Sequence, residues 1–258
     1  MNPDERDSVA TLFGVSAEQV ERDHFISHVL AFLSRDFGDR VHFIGGTALA
    51  RTHLPDGRLS EDIDLIAVGS RKDVANALDA TLPRALARTH GRLTVEPALG
   101  AAADTLPVLL RPADGRPVRL QLLSARNRTI WPTERRALVQ RYSDSPAAEL
   151  LVPTLPAFAA SKTATWADRL APRDLWDLWA LSRLGAIDAE AAGLFRRHGP
   201  TNKNPAAHIF NCAPSDAQWQ AQLAGQTRLR VSAADALTKV REAWRRASRP
   251  TQTIMNDE

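Results

Sequence analysis

The chain has one cysteine, Cys212, so no disulfide can form within it and the fold has to rest on a packed core. No apolar run approaches the roughly 20 residues that span a bilayer, so no membrane partner is expected. The opening Met1-Asn2-Pro3-Asp4-Glu5-Arg6 lacks the basic and apolar regions of a secretory signal, and the expected compartment is the cytoplasm. Neither a Gly-Lys-Ser/Thr phosphate loop nor a Gly-x-Gly-x-x-Gly dinucleotide turn is present. A Gly-x-Ser-x-Gly elbow and a metal-binding Cys/His spacing are missing too, and His42, His53 and His90 read as incidental. An excess of one charge is also lacking: 33 Lys and Arg against 30 Asp and Glu leave a net charge of +3.

What remains is a chain able to bury a real core. Its 258 residues, 44% of them hydrophobic, suit one large or two small domains. Arginine is favoured over lysine and falls in two groups, Arg126, Arg128, Arg135, Arg136 and Arg141, and later Lys239, Arg241, Arg245, Arg246 and Arg249. Each group can contact phosphates or can be an ordinary solvated face. Trp131 and Trp244 lie beside them, where base stacking competes with the commoner core role.

The pattern predicts helices at 5–13 and 17–36, the second capped by Ser16. Strand 41–44, helix 47–54, strand 62–68 and helix 71–88 follow. Further strands are expected near 92–97, 106–111 and 117–123, with Asp114-Gly115 as a hairpin turn. The expected fold is α/β (α+β): a small mixed sheet with packed helices over residues 1–150, then a helical domain over 151–258. Pro153 and Pro156 mark the entrance to that second domain, 200–214 reads as a loop-rich interruption, and 255–258 as a loose tail.

The chemistry concentrates in 41–68. Val41-His42-Phe43-Ile44 runs into Gly45-Gly46, which lets the backbone turn sharply and approach a ligand, and Thr47 is expected to cap the next helix. The helix start would then favour a phosphate. Further on, Ser60-Glu61-Asp62-Ile63-Asp64-Leu65 puts Asp62 and Asp64 on one face of a strand and Ile63 and Leu65 on the other. Two carboxylates that close repel unless a cation lies between them, and hard oxygen ligands suit magnesium with substrate phosphates. Magnesium is therefore the expected metal, with manganese as the alternative, and a nucleoside triphosphate (NTP) the expected substrate. The bland reading, two solvated acids on an edge strand, is weakened by the Gly-Gly-Thr turn beside them.

Phe43-Ile44-Gly45-Gly46-Thr47-Ala48-Leu49-Ala50 and Arg58-Leu59-Ser60-Glu61-Asp62-Ile63-Asp64-Leu65 together resemble the DNA polymerase β-like nucleotidyltransferases. The likeness is to their AbiEii/AbiGii toxin branch, which includes the mycobacterial MenT toxins. A second block, Leu155-Pro156-Ala157-Phe158-Ala159-Ala160-Ser161-Lys162, then Arg169 and Arg173-Asp174-Leu175-Trp176-Asp177-Leu178, is similar to that branch's lysine helix and following Arg-Asp-Leu-x-Asp-Leu motif. The resemblance covers roughly 20–185. It implies a toxin that moves a nucleotide from Mg-NTP to the 3′ end of tRNA and is opposed by a cognate antitoxin. The implied metal ligands are Asp62 and Asp64. Gly45, Gly46, Thr47, Arg58, Ser60 and Lys162 would handle the nucleotide. Asp174 is either catalytic or the ion-pair partner of Arg169 or Arg173. A lysine on an amphipathic helix is usually solvated, but the apolar neighbours of Lys162 favour a functional role.

One departure stands out. The family pattern leads one to expect a third carboxylate on a later strand, where this chain has Val118-Arg119-Leu120-Gln121-Leu122-Leu123. Gln121 is neutral and cannot act as a base, though it can position a hydroxyl. A protein or small-molecule acceptor would use the same donor chemistry, and Gln121 motivates a nucleotide-binding module without turnover; both stand as alternatives to RNA modification.

Overall fold

The computed structural model describes residues 1–126 and 128–249, so the tail expected at 255–258 lies outside the described residues. The chain divides into two units, Met1–Thr154 with Gln220–Arg230, and Leu155–Trp219 with Val231–Glu258. No helix among the described residues is long and apolar enough to cross a membrane.

The first unit opens with α1 (Pro3–Phe13) and α2 (Ala17–Phe37). α1 starts two residues before the predicted position because Asn2 and Glu5 form a capping box that the hydrophobic pattern does not reveal. Ser16 caps α2 as expected, its hydroxyl accepting from the Gln19 amide. Then come β1 (Val41–Ile44), α3 (Gly45–Thr52), β2 (Asp62–Ala67), α4 (Arg71–His90), β3 (Thr94–Glu96), β4 (Val108–Arg111), β5 (Val118–Ser124), β6 (Thr133–Ala137) and β7 (Glu149–Pro153). The strands form one sheet in the order β3-β4-β5-β2-β1-β7-β6. β2 runs antiparallel to β1 and parallel to β5, and β1 runs parallel to β7. The hairpin between β4 and β5 turns through Asp114-Gly115, with Gly115 at φ 106° where glycine is favoured.

β6 and β7 extend the sheet beyond the strands read from sequence. β6 is an edge strand of sequence Thr-Glu-Arg-Arg-Ala with no apolar alternation, so nothing in its pattern announces a strand. β7 pairs with β6 over 133–137 and 149–153, and its Leu150 and Val152 are buried.

α2 carries much of the core, with Phe25, Ile26, Val29, Leu30 and Leu33 all buried, and Phe43, Ile63 and Leu65 are buried on the strands. Within that core lies an ion pair: Arg51 Nη2 is 2.8 Å from Asp23 Oδ1, and both side chains are 2% exposed. The same nitrogen donates to the Asp23 carbonyl, and Tyr142 donates its hydroxyl to Asp23 Oδ2 at 2.9 Å. Burial pulls the Arg51 guanidinium down to about 10 while Asp23 pulls it back up, so Arg51 is charged at neutral pH. Arg141 belongs here rather than on a phosphate-binding face: it lies 3.6 Å from Asp23 Oδ2 and donates to the carbonyls of Ala50 and Pro55.

The second unit is helical: α5 (Leu155–Arg169), α6 (Pro172–Arg183), α7 (Ala189–His198), a 3-10 turn (Ala207–Phe210), α8 (Asp216–Leu223), along which the chain passes back to the first unit, and α9 (Ala233–Ala247). Phe158, Trp166, Leu175, Leu178, Phe195 and Trp244 fill its core, and Trp244 packs edge-on against Phe195 at 5.7 Å between ring centres. Trp244 is thus a core residue. Trp166 Nε1 donates to the Ile209 carbonyl at 2.9 Å, tying α5 to the 3-10 turn.

Arg51→Ala leaves the Asp23 carboxylate buried with its main partner gone. The substitution is expected to lower the unfolding free energy by about 3–5 kcal/mol, read by chemical denaturation.

Candidate active site

Strand pairing sets the geometry. In β2, Ile63 and Leu65 are buried, which turns Asp62 and Asp64 to the opposite face. Asp64 lies opposite Ile44 of β1, the last residue before the glycine turn. Gly45 is at φ 81°, and a Cβ there would overlap the Asp64 carboxylate, so glycine is needed both for the backbone and for the approach. A Cβ on Gly46 would stand 2.5 Å from Arg58 Nη2 and 3.2 Å from Ser60 Oγ. Gly45, Gly46, Arg58, Ser60 and Asp64 are therefore in one place.

Thr47 does not cap α3. The helix begins two residues earlier than predicted, with Ile44 at the cap position and no side chain bonded to the first-turn amides. Thr47 sits inside that turn and donates its hydroxyl to the Asp62 carbonyl, joining helix to strand. A helix start without a side-chain cap, beside a carboxylate and a guanidinium, offers N–H donors and a positive dipole end to an anion.

The loop before Asp62 is held from two directions. Arg58 Nη1 donates to Gln226 Oε1 at 2.7 Å, the Leu59 amide donates to the Gln226 carbonyl at 2.8 Å, and Thr227 donates to the Gly57 carbonyl at 2.9 Å. From α2, Gln19 donates to the Leu59 carbonyl and Arg22 pairs with Glu61 at 2.8 Å. Arg58 and Ser60 are buried as a result. Gln226 and Thr227 carried no signal in the sequence, since their partners lie far away along the chain.

Arg119 is the other residue the sequence reading passed over. The parallel register sets it beside Asp62 and sets Gln121 beside Asp64. Its guanidinium grips Asp62 through both oxygens, Nε to Oδ1 at 2.8 Å and Nη2 to Oδ2 at 3.2 Å, and this pairing holds its pKa above the ordinary arginine value. Two-residue strand periodicity from Gln121 was the available signal. Gln121 donates Nε2 to the Asp104 carbonyl at 3.4 Å. The Asp104 carboxylate itself is turned to the Ser124 amide and Arg128, so Asp104 does not replace the expected third acid.

In the second unit, Lys162, Asp174 and Asp177 form a buried network. Lys162 Nζ lies 2.7 Å from Asp177 Oδ2 and 3.4 Å from Asp174 Oδ1, and Arg169 pairs with Asp174 through Nε at 2.7 Å and Nη2 at 3.1 Å. Of the two readings open for Asp174, ion pairing with Arg169 is the one its contacts display.

Several arginines of the first basic group are paired: Arg128 with Asp104, Arg135 with Asp39 and Glu149, and Arg136 with Glu134. His90, read as incidental, packs against His24 and His28, and the three form a cluster able to hold a metal ion.

Residues 31–252 match the family described as nucleotidyl transferase AbiEii toxin, type IV toxin–antitoxin system. Among solved structures, the chain is similar to the MenT4 nucleotidyltransferase toxin of Mycobacterium tuberculosis H37Rv at 22% identity and TM-score 0.70, over 93% of this chain and 88% of that one. It is also similar to a protein from H. pylori assigned as a nucleotidyltransferase, at 14% identity and TM-score 0.52, over 90% of this chain and 95% of that one. At these identities the likeness carries the fold. No curated protein matches the chain.

Gly45→Ala puts a methyl group into the space of the Asp64 carboxylate on a backbone that disfavours it. Binding of a nucleoside triphosphate, measured by titration calorimetry, is expected to weaken about tenfold or more while far-UV circular dichroism is unchanged.

Proposed function

The chain belongs to the AbiEii family of nucleotidyltransferase toxins, and from that membership we propose that it transfers a nucleoside monophosphate from Mg-NTP to the 3′ end of tRNA with release of pyrophosphate, blocking translation. It is a nucleotidyltransferase, a class that generally uses divalent metals, and its type IV toxin–antitoxin family implies an antitoxin partner. The observation that carries the reading is the Asp62 and Asp64 pair beside the uncapped start of α3, with Gly45 giving Asp64 its space.

The residues present fit magnesium. Asp62 and Asp64 offer hard oxygen donors from one strand face, and Arg119 already holds a positive charge on Asp62, the place a cation would take. Magnesium there, or manganese, would draw charge from the α-phosphoryl group as it is attacked. The chain's own groups do the rest. The α3 amides after Gly45 and Gly46 receive phosphate oxygens, with the buried Arg58 guanidinium and Ser60 hydroxyl beside them. Gln121 accepts no proton, so the proton of the attacking hydroxyl passes to an aspartate of the pair or to a phosphate oxygen. Lys162 is proposed to bind nucleotide phosphate, with Asp174 and Asp177 as positioning residues that hold its side chain by ion pairs. The antitoxin and tRNA would meet the enzyme in the cytoplasm.

Incubating the protein with magnesium, total tRNA and each α-labelled NTP in turn is expected to label tRNA from one nucleotide. Asp62→Ala and Asp64→Ala should each cut labelling at least about a hundredfold, since several kcal/mol of transition-state stabilisation go with the metal. Label entering protein instead would move the acceptor to a polypeptide, and no label in any acceptor would leave a binding module. Arg119→Gln removes the competing cation from Asp62. It is expected to lower the magnesium concentration for half-maximal labelling by up to about fivefold, the factor that ~1 kcal/mol of exposed ion pairing corresponds to.

A further inference from the structure

His24 and His28 stand one helical turn apart on α2, and His90 ends α4. Their rings meet edge-on, with centroids 4.7 Å apart for His24 and His28, 4.8 Å for His28 and His90, and 5.4 Å for His24 and His90. One ligand nitrogen from each lies within 4.8 Å of those of the other two. Asp144, in the segment between β6 and β7, joins them: its oxygens lie 2.9 and 3.0 Å from His24 Nε2, and Oδ1 lies 3.9 Å from His28 Nε2.

Hydrogen bonding alone cannot satisfy this cluster. His24 Nε2 faces the Asp144 carboxylate, which only accepts, and also faces His28 Nε2 at 3.2 Å. If His24 Nε2 carries a proton, that single N–H has to serve both the Asp144 carboxylate and a lone pair on His28 Nε2. If it carries none, His28 can donate to it, but Asp144 keeps only the Met1 amino group. His90 Nε2 is buried and has no hydrogen-bond partner among the described residues. A metal ion among the three rings would take one lone pair from each imidazole, with the Asp144 carboxylate beside His24.

We propose that His24, His28, His90 and Asp144 form a structural binding site for a zinc-class transition metal ion. The donor set, three imidazoles and one carboxylate oxygen, suits zinc and its borderline neighbours, whereas magnesium and calcium favour oxygen ligands. Tetrahedral zinc with bonds of 2.0–2.1 Å to nitrogen sets neighbouring ligand nitrogens about 3.3–3.4 Å apart. The 3.2 Å between His24 and His28 is already close to that spacing. The Met1 amino group contacts Asp144 Oδ2 at 2.5 Å, leaving Oδ1, the oxygen nearest His28, for the ion. With Asp144 Oδ1 drawn in as the fourth ligand beside the three imidazoles, the coordination sphere would be closed, and the ion's work would be to tie α2, the end of α4 and the segment before β7 together. This inference stands on residues separate from Asp62 and Asp64 and survives failure of the transfer assay.

The test is a zinc titration of EDTA-treated full-length protein against a chromophoric chelator, with cobalt(II) as a spectroscopic substitute. The expected result is one tight equivalent, the intense visible absorption of tetrahedral cobalt, and a higher melting temperature that chelation reverses. Asp62→Asn/Asp64→Asn should bind the same equivalent. His28→Asn and His90→Asn should each weaken it by more than the about ten- to hundredfold that losing an outer-shell partner costs. No tight equivalent in the wild type, an octahedral cobalt spectrum, loss with the aspartate variant, or undiminished binding in both histidine variants would each overturn the proposal. The wild-type spectrum decides the matter even where a histidine variant does not fold.

Discussion

The buried pair of Asp23 and Arg51 is the constraint on which the rest of the first unit depends. Arg51 lies on α3, the helix whose first turn adjoins the aspartates, and Asp23 lies on α2, the helix that supplies much of the core. α3 is only eight residues long, too short to hold a conformation by itself, so its placement comes from tertiary contacts. Three of them serve at its two ends: the Thr47 hydroxyl on the Asp62 carbonyl, and the Arg51 guanidinium on the Asp23 side chain and carbonyl. Tyr142 and Arg141 close the network from the segment after β6. An arginine so fully desolvated tolerates no looseness, because a shift of its carboxylate partner would leave a bare charge in low dielectric.

From that fixed helix the character of the candidate site follows. Its two aspartates share a strand face but not an environment. Asp64 stands where Gly45 makes room for it at the head of α3, a place the helix dipole makes favourable for a negative charge. Asp62 is clasped by Arg119 through two hydrogen bonds near the surface. The like-charge repulsion that makes an Asp-x-Asp pair attractive to a cation is therefore partly relieved by the protein itself. Arg119 and Gln121 together give β5 a neutral-to-positive face opposite the acids, where the family pattern leads one to expect a further carboxylate.

Legibility varied with the range of the interaction. The strands and helices of residues 41–123 followed from apolar alternation, glycine and capping residues, all of which act within a few positions. β6 escaped because an edge strand buries little and needs no alternation, and β7 because a short run ending at Pro153 reads as the approach to a helix. Thr47 looked like a cap because threonine is a good one, but the glycines before it let the helix begin sooner, and its hydroxyl found the β2 carbonyl instead. The four-residue spacing of His24 and His28 was visible in the sequence. Its meaning was not, since His90 and Asp144 come from other elements.

By itself the sequence determined the local patterns: a glycine turn and two carboxylates at strand spacing in the first unit, a lysine helix and an arginine–aspartate motif in the second, each of which backbone geometry converts directly into side-chain direction. Tertiary structure alone decided which charges meet. Strand register put Arg119 on Asp62, the return of 220–230 set Gln226 against Arg58, and helix packing brought Arg51 to Asp23 and His90 to His24 and His28. Such pairings join residues far apart in the chain, and their strength is set by the desolvation that only a closed core imposes.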